Sequence, residues 1–296
     1  MTHCEILIIG AGVAGMSAAV GAWEAGCRSV LLLDRAAMLG GILPQCIHEG
    51  FGPEELTGPA YAERLAQQLS HTGVRLLLGR EVLSVSKEKT AVVSGGGDLE
   101  EIAFYKLILA AGCRERGIGS LLLGGTRPAG VFTAGQAQEM INLRHWSVGQ
   151  RIVIVGSGDL GMIMARRFTL EGKTVVAVLE QNERFGGMAR NYHRCIEAYQ
   201  IPILYRTAPR ALHGMPRVTG VTVEHLDSGT RGTLSCDTLV TTLGLIPEQT
   251  LVRGLGEPAW LFYAGNCRRV HDMAESAAAE GARVGRAAGT NSALNL

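Results

Sequence analysis

The sequence predicts an α/β fold made of two βαβ units of one design, and three observations predict it. Residues 5–35 and 151–180 each run apolar strand, glycine-rich turn, helix, apolar strand and carboxylate. The glycines keep the spacing G-x-G-x-x-G in both copies, as Gly10, Gly12 and Gly15 and then as Gly156, Gly158 and Gly161. Each copy ends its second strand on an acid, Asp34 or Glu180, twenty-four residues after the first glycine.

In the first copy, the apolar run Ile6 to Ile9 is short enough for a buried parallel strand. Gly10 allows a tight turn, Gly12 leaves room for a pyrophosphate, and Gly15 lets the next helix pack close to its strand. That helix, from Val13 to about Ala25, points its first amides, those of Val13 and Ala14 among them, at the phosphates. Gly26 ends it and Val30 to Leu33 forms the second strand. Asp34 can then accept hydrogen bonds from both hydroxyls of an adenosine ribose. A turn that merely packs helix on sheet explains the glycines but not an acid closing an apolar strand.

The loop after Asp34 and Arg35 carries Gly40 and Gly41, which let it run along a ligand, then Ile42, Cys46 and His48. Two residues apart, Cys46 and His48 share a face if the segment is extended. An imidazole there could hold the cysteine as a thiolate nucleophile or redox group, or both could be packing residues. Thr57-Gly58-Pro59 starts a helix that runs to about His71. Val74–Leu78, Glu81–Ser86 (which includes Val82), Thr90–Ser94 and the stretch near Glu101–Ala103 read as strands. Lys106–Leu109 is a further buried strand, closed by the small residues Ala111 and Gly112 at the sheet's carboxyl edge. Residues 113–135 read as an inter-domain crossing, with Arg114-Glu115-Arg116 as a solvated cluster.

In the second copy, Arg151–Val155 is the strand, Asp159 and Leu160 open a helix that runs to Glu171, and Thr174–Leu179 leads to Glu180. Two matched copies imply two dinucleotide sites. Glu180 would repel a 2′-phosphate and so favours NADH over NADPH, with Arg184 close by as a counterweight. A domain that kept its fold and lost its ligand is the alternative. Phe185–Gln200 reads as loop and helix, and Ile201–Tyr205 as a strand. Val218–His225 and Arg231–Cys236 are paired strands, Thr238–Gly244 is a buried one, and 254–258 lies in a second crossing. Trp260–Gly265 is the last strand. Asn266 follows it, and Asp272–Ala288 forms a helix with small-residue spacing. His271 and Asp272 lie at that helix's N-terminus, an end that caps the helix or stabilises negative charge on a ligand.

The 296 residues suggest about two domains. Apolar residues make up 47%, enough for a core. A net charge of +1 with no basic run excludes nucleic acid as an expected partner. No apolar stretch is long enough for an integral membrane segment. The first strand leaves no room for a signal peptide. Seven scattered cysteines without metal spacing exclude a disulfide framework or metal site and fit a reducing, cytoplasmic setting.

With these segments placed, the chain resembles the pyridine nucleotide-disulphide oxidoreductase superfamily over nearly its whole length. Gly10-Ala-Gly-Val-Ala-Gly15 with Asp34 corresponds to that family's FAD fingerprint. Leu109-Ala-Ala-Gly112 is similar to its A-T-G strand end, Leu243-Gly-Leu-Ile-Pro247 to its G-x-x-P crossing, and Phe262-Tyr-Ala-Gly-Asn266 to its A-G-D element. Residues 40–48 and 156–167 are similar to flavin subunits associated with glycerol-3-phosphate or 2-hydroxyacid dehydrogenases, opine oxidase and hydrogen cyanide synthase.

The resemblance implies two Rossmann-like domains of the three-layer ββα, glutathione and thioredoxin reductase-like kind. The NAD domain, 118–244, would be inserted in an FAD domain formed by 1–117 and 245–296. FAD would be held by Gly10, Gly12, Val13, Ala14, Gly15, Asp34, Arg35, Gly40, Gly41, Ile42, Val82, Ala111, Gly112, Gly265, Asn266 and Asp272. NAD(P)H would be held by Gly156, Gly158, Asp159, Leu160, Gly161 and Glu180. Cys46 and His48 would lie near the flavin ring as catalytic candidates, with His48 the better proton carrier.

The expected activity is hydride transfer between nicotinamide and flavin, in a homo- or hetero-oligomer with a companion dehydrogenase subunit. Two alternatives stand beside it, a thioredoxin reductase-like enzyme using Cys46 and a non-enzymatic nucleotide-binding sensor or assembly subunit. Disulphide reductases carry a cysteine pair, whereas Leu43 and His48 flank a single Cys46 here.

Overall fold

The computed structural model describes residues 2–290. The chain divides into two units, one made of residues up to Arg114 and from Ile246 onward, the other Glu115–Leu245.

The first unit begins with β1 (Thr2–Ile9), α1 (Val13–Glu24), β2 (Val30–Asp34), α2 (Gly58–Ser70), β3 (Arg75–Leu78), β4 (Glu81–Val85), β5 (Thr90–Gly95) and β6 (Asp98–Leu109). The second holds β7 (Val131–Thr133), α3 (Ala134–Asn142), β8 (Arg151–Val155), α4 (Asp159–Leu170), β9 (Thr174–Leu179), β10 (Ile203–Leu204), β11 (Thr207–His213), β12 (Gly220–His225), β13 (Arg231–Ser235) and β14 (Thr238–Thr241). The chain then returns to the first unit as β15 (Leu261–Tyr263) and α5 (Ala274–Thr290).

In the first unit the strand order is β3-β2-β1-β6-β5-β4, with β15 added on β6. Strands β3, β2, β1, β6 and β15 are parallel, and the β4-β5-β6 limb is antiparallel. The stretches near 101–103 and 106–109, separate in the sequence reading, are one twelve-residue strand. Asp98–Ala103 pairs with β5 and Ile102–Leu109 with β1, so β6 changes partner partway along without a break.

Alternate residues of β1 and β2 serve two cores. Ile6, Ile8, Val30 and Leu32 pack with α1 and α2, and Leu7, Leu31 and Leu33 pack with Val93 and Phe104 on the other face. Both faces are covered, so these strands are apolar throughout. Helix α5 lies against α1 through small residues. A Cβ on Gly281, Gly285 or Gly289 would meet backbone oxygen of Ala14, Ala18 or Ala22 at 2.0–2.8 Å.

The second unit has an all-parallel sheet, β7-β14-β8-β9-β10, and an antiparallel β11-β12-β13 layer. Two apolar clusters again cover the two faces of its parallel sheet. Helix α3 begins in a capping box, in which Thr133 and Gln136 satisfy each other's backbone amides. Glu115 also accepts from the Gly135 amide at 2.9 Å. Arg114 pairs with Glu248 at 3.5 Å. Glu115 thus has a structural role, because a helix start needs acceptors for its free amides, while Arg114 and Arg116 are exposed as a solvated cluster expects. Among the described residues, no helix is long and apolar enough to cross a membrane and no side-chain cluster could hold a metal ion.

Candidate functional site

Each unit builds a glycine turn at the carboxyl edge of its parallel sheet. In the first unit Gly10 has φ +108, and a Cβ there would meet the Ala110 oxygen at 2.3 Å. A Cβ on Gly15 would meet the Gly10 oxygen at 1.7 Å, so the helix can start this close to its strand only with glycine. Gly12 is different, since nothing lies nearer than 3.8 Å to its Cβ position. Its open side is the approach a diphosphate requires. Gly12 caps α1 with no side-chain acceptor, and the helix has no acid in its first turn, so its positive end is not neutralised by a side chain of its own first turn.

The Gly40-Gly41 loop closes against this turn. The Gly40 amide donates to the Ala11 oxygen at 2.9 Å, and a Cβ on Gly41 would meet the Gly12 Cα at 3.0 Å. Asp34 accepts from the Ala11 amide at 2.6 Å through one oxygen and from the Ala36 amide at 2.8 Å through the other. An ionised carboxylate has about four acceptor positions. Two remain on this half-buried side chain, the number a ribose diol needs. Arg35 and Ile42 are exposed beside the cradle. Val82 lies in β4 opposite Val93. Ala111 and Gly112, the latter at φ +71, follow β6.

The closing element adds Gly265, Asn266 and His271. Asn266 accepts from the His271 amide at 2.9 Å. His271 and Asp272 precede the helix, which starts at Ala274 and not at Asp272. The His271 ring is not free to face a ligand through Nε2, because that atom lies 2.8 Å from Glu280. Glu280 also accepts from the Gly265 amide at 2.8 Å. One carboxylate on α5 thus pins both ends of the element, a role the sequence order does not announce.

Cys46 and His48 do not share an extended face. A one-turn helix, Leu43–Gln45, places Cys46 at its end. The Cys46 thiol donates to the Ile42 oxygen at 3.4 Å. His48 instead has Nδ1 at 3.0 Å from the Glu49 oxygen and its ring 5.0 Å from that of Phe51. Burial pushes the Cys46 thiol up to about 12, so it is a neutral thiol and not a thiolate at neutral pH. Its burial gives no support to a thiolate at this position.

The second unit repeats the cradle. Gly156 has φ +103 and faces Thr242, and a Cβ on Gly161 would meet the Gly156 oxygen at 2.2 Å. Nothing lies within 4 Å of a Gly158 Cβ. Asp159 and Leu160 open α4. Gly186 and Gly187 stand at the same distance from the first glycine as Gly40 and Gly41 do in the first copy, a repeat visible in the sequence once the two copies are aligned. A Cβ on Gly187 would meet the Asp159 amide at 2.7 Å.

The loop is tied down by side chains. The Gly186 amide donates to the Ser157 hydroxyl at 3.0 Å. Asp159 accepts from the Met188 amide at 2.8 Å and from Asn191 at 2.6 Å. Glu180 is 5% exposed. It accepts from the Ser157 amide and hydroxyl through one oxygen and from the Asn182 amide and side chain through the other.

Both cradles share an open second glycine and a helix start with no side-chain cap, and each is followed by a strand that ends on an acid. Comparison with known proteins agrees. The family model of the pyridine nucleotide-disulphide oxidoreductases matches residues 4–260. A ferredoxin–NADP reductase of Gluconacetobacter diazotrophicus is 31% identical over 81% of this chain and 72% of its own length. The hydrogen cyanide synthase subunit HcnB of Pseudomonas protegens is 32% identical over 59% of this chain but only 38% of its own length. The crystal structure of the thioredoxin reductase of T. acidophilum superposes over 100% of both chains with a TM-score of 0.77 at 19% identity, which shows the fold. The chain belongs to the pyridine nucleotide-disulphide oxidoreductase family and is an FAD-dependent oxidoreductase of that class.

Proposed function

We propose that the first unit holds FAD and the second NAD(P)H, and that the chain passes electrons as the flavin subunit of a larger dehydrogenase. The observation that carries this reading is the doubled cradle, with an open second glycine in each unit. Bound FAD supplies two-electron chemistry, and the protein supplies binding, orientation and electrostatics. The Gly10–Gly15 turn and the α1 amides receive the FAD diphosphate, and Asp34 takes the adenosine ribose. Asn266 and the N-terminal end of α5 hold the flavin side, where the helix dipole favours negative charge. Gly158 and the first turn of α4 receive the second diphosphate. His48, half-buried and two residues from Cys46, is the catalytic candidate of the loop that follows Asp34.

The subunit role is supported by HcnB, which is named as a subunit, and by the sarcosine oxidase subunit alpha of Rhizobium meliloti, 26% identical over 87% of this chain but only 26% of its own length. Anaerobic addition of NADH to the purified yellow protein tests the reading. Bleaching of the visible flavin band is the expected result. A protein that binds no flavin, or a flavin that NADH leaves oxidised, overturns it; in the second case the sensor reading gains. The thioredoxin reductase-like reading is favoured by the shared fold and needs Cys46 as its thiol. Replacing Cys46 by Ser then abolishes thiol-coupled turnover.

A further inference from the structure

The two strand-end acids have the same neighbours by position and different neighbours by chemistry. Asp34 takes the amides of Ala11 and Ala36, and Glu180 takes those of Ser157 and Asn182. In the second unit both alanines have become residues whose side chains donate as well. The Ser157 hydroxyl takes the third acceptor position of Glu180, and the Asn182 amide group, at 2.8 Å, takes the fourth. A carboxylate with about four acceptor positions is then saturated by protein donors. Glu180 is also buried, whereas Asn182 is exposed. A ribose diol could reach Glu180 only by breaking bonds that cost desolvation to leave unmade.

We infer that Asn182, and not Glu180, meets the 2′ position of the adenosine ribose in the second site, with Glu180 acting as the positioning residue that aims it. The inference rests on the second unit binding a dinucleotide. One Asn182 amide hydrogen is spent on Glu180. The second hydrogen and the side-chain oxygen remain for a ligand. The oxygen accepts from a 2′-hydroxyl and the hydrogen donates to a 2′-phosphate. A neutral group with both functions does not reject the phosphate as a facing carboxylate does. The second site therefore takes NAD and NADP with similar affinity, in place of the NADH preference that a ribose-facing Glu180 implies.

Calorimetric titration of the purified flavoprotein with NAD+ and with NADP+ tests this without turnover. The wild type is expected to bind the two within about threefold of each other. Asn182→Asp places a charge opposite the phosphate and is expected to weaken NADP+ relative to NAD+ by about tenfold. Glu180→Gln is expected to weaken both in parallel and to lower the melting temperature, leaving their ratio unchanged. A ratio that moves with Glu180→Gln, or stays put with Asn182→Asp, overturns the inference alone. Asn182 is exposed, so its variant remains informative if the Glu180 variant fails to fold. Wild-type protein that binds neither nucleotide refutes the second-site reading itself, and this inference with it.

Discussion

The first and second units follow one chain path, yet one leaves its acid half-buried with acceptors to spare and the other buries and saturates it. The difference comes from two side chains, Ser157 for Ala11 and Asn182 for Ala36. It also shows in how the glycine loops close. Gly40-Gly41 is held by a backbone bond to Ala11, and Gly186-Gly187 by Ser157 together with Asp159. A repeated fold can therefore repeat its cradle without repeating its recognition chemistry.

The sharpest way to break this comparison is to block each turn in parallel. Gly15→Val forces a side chain into the Gly10 oxygen and is expected to cost more than about 4 kcal/mol, losing folded protein and flavin together. Gly161→Val meets the Gly156 oxygen in the same way, but is expected to lower nucleotide binding while any folded fraction keeps its flavin. Flavin content per folded chain, read by absorbance and circular dichroism, checks both. Flavin lost equally from the folded fraction of each variant contradicts the assignment of one coenzyme to each unit.

Next in size is Asp34→Asn. Losing a charged acceptor of ribose is expected to weaken FAD by about ten- to a hundredfold, in line with the roughly 1.5–3 kcal/mol of a hydrogen bond to a charged group. Flavin retained through gel filtration at low protein concentration is the readout. Retention equal to wild type would remove Asp34 from the site.

Ser157→Ala converts the second turn toward the first. It removes the bridge from Glu180 to the Gly186 amide and is expected to cost about 1–2 kcal/mol in thermal or denaturant unfolding. An unchanged midpoint would show that the loop closes without the bridge.

The smallest effect is expected at Cys46. Cys46→Ser is expected to leave flavin reduction by NADH unchanged, and wild-type Cys46 to resist alkylation through the neutral range. Its thiol rises from 9.0 to about 12 on folding. The unfolded chain therefore ionises first, and the stability from keeping this thiol neutral is present below pH 9 and lost as pH rises toward about 12. The serine variant should show a shallower fall of melting temperature across that window.

Much of the fold was legible because its signals are local. Strand, turn, helix and acid follow one another within about thirty residues, and the Thr57 cap and the small-residue stripe of α5 are likewise written in short spacings. Helix α3 was less legible, since its capping box opens at Thr133, inside a segment that reads as a crossing. Strand β11 carries Pro209, which argues against a strand, yet the register shift between Pro209 and Ala211 accommodates it. In the site, Gly10, Gly12, Gly15 and their second copies sit at turns that local sterics demand. Glu280 contacts His271 and Gly265 across a helical turn and a loop, and no spacing rule brings them together.

By itself the sequence determined the two cradles, because glycine spacing and apolar strand length are properties of neighbouring residues. Tertiary structure alone decided which acid keeps acceptors free, which imidazole is already paired and which thiol stays neutral. Each of those depends on burial and on donors brought from distant parts of the chain. Free acceptors and acidity are set by everything packed around a group, and the group's own place in the sequence does not encode that.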